Sequence, residues 1–245
     1  MHPINPMTEA TSDPVISMMG NVSSVTTTQR YDIYRLVHKG LRAFMCDTLC
    51  KTGKLDVDDE EEVHELVSQL DTLLHVCRSH LHHENHYIHP ALEARAANSS
   101  AQTAKEHDQH EQAIKLLENS LLNLQQCPAH LRTQNALALY RRLAIFIAEN
   151  LEHMQVEESY NTQVLWQHYS DEELQGIERE LISSVPEEES RIFWRWMLPY
   201  MTHQERLELL GKIRNHAPEP VWHGMLALVK MHASPRDVEK LINAL

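Results

Sequence analysis

Two histidine–glutamate pairs, each spaced four residues apart on the apolar stripe of a long helical stretch, constrain this chain more than any other feature. The stretch from His80 to Glu93 reads HLHHENHYIHPALE, and HMQVEE runs from His153 to Glu158. Residues three or four apart share a helix face. Leu73, Val76, Cys77, Tyr87 and Ile88 fall on or near the face of His80 and Glu84, which makes it a core face. Leu139, Leu143, Phe146, Asn150, Tyr160 and Val164 continue the stripe of His153 and Glu157. Two helices therefore each send one imidazole and one carboxylate inward. A buried carboxylate is costly unless it is paired or coordinated. The structural alternative is two buried ion pairs or a polar core network, whereas a metal site satisfies all four groups at once.

The rest of the chain reads as helix. Only 6 Gly and 10 Pro occur in 245 residues, while Leu, Ala, Glu and Gln abound. Four long stretches follow one another, from about Gln29 to Lys51, from the acidic run DVDDEEE to about Ala97, from Ser99-Ser100 to before Cys127-Pro128, and from Pro128 to Tyr169. Acidic residues suit a helix N-terminus, and Thr52-Gly53 is a stop signal. Short connections between long helices predict an all-α, up-down-up-down four-helix bundle over residues 29–170. Residues 1–28, rich in Ser, Thr, Pro and Asn, read as a flexible tail. Residues 171–245 follow a capping box at Ser170–Glu173 and hold a second at Thr202–Glu205 and a helix start at Ser234-Pro235. They predict a C-terminal extension of four or five short helices that lids the bundle, forms a homodimer surface or docks a protein partner.

The formal net charge of −13 argues against a nucleic-acid backbone or an anionic membrane surface as partner. No signal peptide and no long apolar run is evident, which points to the cytoplasm. The four cysteines form no CxxC pair and read as thiols in a reducing compartment.

The other two long helices also offer histidines to the interior. Tyr34, His38, Leu41 and Met45 share a stripe on the first. On the third, His110 lies best on the stripe of Ile114, Leu117 and Leu121, with His107 one turn earlier as a substitute or additional ligand. His82, His83, His86 and His89 fall on other faces of the second helix and read as solvated surface. The inward set is His38, His80, Glu84, His110, His153 and Glu157. Such a set suits a pair of borderline transition ions, each carboxylate able to bridge them. Glu106 is placed to orient a ligand histidine. Tyr34, Tyr87 and Tyr160 are candidates to line the pocket.

The order His38, HLHHENHYIHPALE, KEHDQHEQAI, LEHMQVEESY resembles the hemerythrin family, in particular its bacterial HHE branch, over roughly residues 29–170. The resemblance implies a non-haem di-iron centre, with manganese able to use similar ligands. His38, His80, His110 and His153 would be terminal ligands, and Glu84 and Glu157 bridges. Oxygen-carrying hemerythrins use His-x-x-x-His on the third helix and an Asp on the fourth, whereas this chain has Glu106 and Glu157. The departure directs the expectation away from oxygen carriage. Binding or sensing of oxygen, peroxide or nitric oxide is expected first. A peroxidase- or catalase-like enzyme and an iron donor, as in iron–sulfur cluster repair, are the alternatives.

Overall fold

The computed structural model describes residues 30–245, so the N-terminal tail lies outside the described residues. No strand occurs among them. Four long helices form the bundle: α1 (Arg35–Gly53), α2 (Glu60–His83), α4 (Ala101–Gln126) and α5 (Ala129–Val156). Local signals account for their ends. The Asp59 carboxylate accepts from the Glu61 and Glu62 amides and caps α2, whose first turn is acidic. Helix α4 stops at Gln126, before Cys127-Pro128, because the residue preceding a proline is driven to extended backbone. In space α1 neighbours α2 and α5, and α4 neighbours α2 and α5, which is the ring an up-down-up-down bundle makes. Leu70, Leu73, Leu74, Ile114, Leu117, Leu139, Leu143 and Phe146 fill its centre, all fully buried.

Two of these helices do not run on as simple α-helix. A π-helical segment, Glu84–Ile88, follows α2 and leads into the short α3 (His89–Arg95). A second, Glu157–Asn161, follows α5 and leads into α6 (Thr162–His168). The His89 amide bonds back to the Glu84 carbonyl, and the Thr162 amide to that of Glu157, five residues away in each case. Each wide turn opens at the glutamate of a His-x-x-x-Glu pair. Such turns place one extra residue in the helix and recur at functional sites. Pro90, which has no N–H to give, sits just beyond the first.

Residues 171–245 form α7 (Asp171–Ser184), α8 (Glu187–Tyr200), α9 (His203–His216), α10 (Glu219–His232) and α11 (Pro235–Ala244). Both capping boxes form as the sequence predicts. Helix α8 lies along α1, where Trp196 stacks on Phe44 with ring centroids 4.3 Å apart. Gly40 permits the close approach, since a Cβ there would lie 2.7 Å from Met197 Cγ. Leu198, Leu210, Val229 and Leu241 form a small separate core under α8–α11. Buried Arg206 donates to the carbonyls of Leu198 and Pro199, which the end of α8 leaves without intrahelical partners.

Candidate metal centre

The two His-x-x-x-Glu pairs face each other inside the bundle, together with one histidine each from α1 and α4. Two sets of donor atoms emerge, His38, His80, Glu84 and Glu157 in one, and His107, His153, Glu84 and Glu157 in the other. His38 Nε2 lies 3.7 Å from Glu84 Oε1 and 3.5 Å from Glu157 Oε2, and His80 Nε2 lies 3.2 Å from Glu84 Oε1. Across the centre, His107 Nε2 is 3.5 Å from Glu84 Oε2 and 3.7 Å from Glu157 Oε1, and His153 Nε2 is 3.3 Å from Glu157 Oε1. Each carboxylate thus turns one oxygen to each set, and each set holds two nitrogens and two oxygens.

These separations can be compared with those of an ion-pair network and of a metal site. Charge-assisted N–H···O bonds measure about 2.7–2.9 Å. Two donors each about 2.1 Å from one ion stand about 3.0 Å apart at a right angle and about 3.4 Å apart at a tetrahedral angle. The observed distances match the second case better. The Nε2 atoms of His38 and His80 and all four oxygens of Glu84 and Glu157 are buried, and none has a hydrogen-bond partner among the described residues. Orphaned acceptors of this kind are expensive, and a cation among them removes the cost.

The outer ring nitrogens set the tautomers. His38 Nδ1 donates to Glu158 (3.0 Å), which Arg42 grips at 2.5 and 3.0 Å. His153 Nδ1 donates to Glu106 (2.7 Å), and His107 Nδ1 to the Asn85 amide oxygen (2.8 Å). A proton on Nδ1 leaves the Nε2 lone pair pointing inward in the neutral ring. His107 Nε2 and His153 Nε2 meet at 3.0 Å, so in neutral rings two lone pairs face one another.

Without metal, protons take part of the cation's place. Burial opposes charge on His38, but its bond to Glu158 and the neighbouring Glu84 and Glu157 carry its pKa up to about 9. His153 also reaches about 9, burial being overcome by Glu157, Glu84 and Glu106. Burial holds His80 down at about 4. Burial tends to raise both Glu84 and Glu157, yet the surrounding imidazoles keep them below the ordinary carboxylate range.

The third helix is where expectation and structure part. His107, not His110, supplies the α4 member of the donor set. Both lie on the buried stripe, so the face does not separate them. Height along the bundle does, because a helix climbs about 1.5 Å per residue and Asn85 holds His107 level with Glu84. His110 sits beside the set, its ring 4.9 Å from that of His153, and burial pushes its pKa down to about 4. Glu106 lies against the outer nitrogen of His153. Tyr34 is fully buried beside His38, ring centroids 5.2 Å apart. Tyr87 is half-buried, packed in the apolar cluster that also holds Tyr34 and edge-on to His86, and Tyr160 is exposed.

His83 and His89 are buried, against the expectation of a solvated face. His83 faces Ser79 (3.4 Å), itself bonded to Glu189 of α8. His89 comes inward because the π turn shifts the phase of everything after Glu84. It stacks on His107 (4.7 Å) and pairs with Thr103 (3.2 Å). Glu158 and Asn85 were not anticipated. Arg42, four residues after His38 on α1, is a signal that could have pointed to Glu158.

No curated protein and no solved structure matches the chain. The family of the hemerythrin HHE cation-binding domain matches residues 29–174, well over half of the sequence, and those residues carry all four bundle helices and both donor sets. The chain therefore belongs to the hemerythrin HHE cation-binding domain family.

Proposed function

We propose that the centre holds two iron ions and that the reduced protein binds or reacts with oxygen, peroxide or nitric oxide, in sensing or in defence against oxidative or nitrosative stress. The observation that carries this reading is the pair of N2O2 donor sets sharing both carboxylates. Mixed imidazole and carboxylate sets suit iron, and manganese to a lesser degree. Iron supplies redox chemistry and coordination positions for a small ligand that no side chain here can supply.

The chain's own residues shape the surroundings. Burial, with Glu157 and Glu84 nearby, raises the Tyr34 pKa well above an ordinary phenol, so its proton stays on. Asn161 Nδ2 approaches both Tyr34 Oη (3.5 Å) and Thr103 Oγ1 (3.4 Å), which groups buried polar side chains next to Tyr34, itself beside His38. A small polar ligand would find hydrogen-bonding groups there.

An anaerobic titration tests the proposal. Ferrous iron is added to the metal-free protein, iron per chain is counted, and oxygen or nitric oxide is admitted while the visible spectrum is recorded. Two irons per chain and a coloured adduct that reverses when the gas is removed support ligand binding. Rapid irreversible oxidation transfers the role to peroxide chemistry or iron donation. Stoichiometric manganese with no iron uptake overturns the choice of metal.

A further inference from the structure

A cleft of about 530 Å³ opens between α4 and α5 beside the second donor set. Glu106, Glu149 and Glu152 line it, together with His110, His153 and Gln109. No lysine or arginine is among its lining residues. At one margin the Arg142 guanidinium is engaged with the Leu116 carbonyl and Ser120. Acidic walls in a recess of low dielectric concentrate cations. Acidity alone would describe a solvated face, but His110 adds an independent sign. Its side chain lines the cleft and is only 3% exposed, yet its Nδ1 has no hydrogen-bond partner among the described residues. Buried polar atoms left unpaired are uncommon in native proteins.

We propose that this cleft is a binding station for a divalent cation on its way to the centre, with Glu149 and Glu152 attracting the ion and His110 holding it. The proposal deepens the metal-centre reading and rests on it. The geometry supplies the continuity the route needs. Glu106 and His153 belong both to the cleft wall and to the surroundings of the second set. The His110 ring stands 4.9 Å from that of His153. An ion at His110 is therefore one ring away from the Nε2 atoms of His153 and His107, with no helix to cross. The position also explains a third buried histidine on α4 and α5 that neither donor set uses.

Ferrous loading followed by stopped flow tests the route. The pair Glu149→Gln and Glu152→Gln changes two exposed side chains and leaves the bundle core intact. The double variant should load about tenfold more slowly than the parent at low ionic strength, with the gap closing in high salt and the final count per chain unchanged. Equal rates overturn the proposal. A lower final count also overturns it, because those residues would then be part of the centre. A second arm separates this idea from the metal-centre reading. In Glu84→Gln plus Glu157→Gln, manganese is followed by electron paramagnetic resonance. One weak ion per chain that disappears on adding His110→Ala supports the station even if the centre itself fails to hold iron. No manganese bound in that background sinks the station while leaving the centre standing.

Discussion

His38 and His153 hold matching places in the two halves of the centre, yet their outer nitrogens meet different surroundings. His38 leans on Glu158, whose charge is met by the Arg42 guanidinium. His153 leans on Glu106, whose other partner is the neutral Gln102 amide (2.9 Å). Behind the first half stands α1, backed in turn by α8. Behind the second lies the acidic cleft. The contrast separates two requirements of a metal centre. One half is backed by a carboxylate that a guanidinium meets, and the other by a carboxylate on a cleft that no lysine or arginine lines.

The largest effect should come from the residues the halves share. Glu84→Ala or Glu157→Ala removes an oxygen from both sets, so metal analysis should show both ions lost. A variant retaining one tightly held ion would mean the carboxylate serves one half only. Next, His107→Ala should reduce the count from two to one, while His110→Ala leaves two. The reverse result would place His110 in the centre. Losing an orienting partner typically costs about 10–100-fold in metal affinity. Glu158→Gln should do so in the first half and Glu106→Gln in the second, read by competition with a chelator of known affinity.

The metal-free protein should have its stability maximum near pH 6.5, the ordinary imidazole value. His38 and His153 are raised to about 9, so their contribution is complete below pH 6.5 and is lost as the pH climbs through 9. His80 and His110 are lowered to about 4, so theirs is complete above pH 6.5 and is lost as the pH falls through 4. Urea unfolding across this range should trace both limbs. Metal should remove the alkaline limb, because the ions then occupy the lone pairs that the protons held. The smallest change is expected from Gly40→Ala, which presses a methyl group on Met197 between α1 and α8. It should cost about 1–3 kcal/mol and weaken the half that contains His38 more than the other.

The sequence made the faces of the helices readable but not their heights or their local winding. Apolar periodicity placed His38, His80, Glu84, His153 and Glu157 inward, and the structure gathers all five. Periodicity favoured His110 over His107, although both lie on the buried stripe, and the structure brings His107 to the donor set because Asn85 holds it level with Glu84. The inward turn of His89 was hidden for a different reason. A π turn shifts the phase by one residue, and no single side chain announces it. Helix ends in the extension were legible from Ser170, Thr202 and Ser234. The seat of α8 on α1 was not, because it depends on a glycine at position 40 meeting a methionine 157 residues later.

The claim that both carboxylates are shared between two metal positions is tested most directly by anomalous diffraction from iron-loaded crystals at the iron absorption edge. Two peaks should appear about 3.5–4 Å apart, one beside His38 and His80 and the other beside His107 and His153, with Glu84 and Glu157 spanning both. A single peak, or a second peak held by His110 in place of His107, would contradict the account.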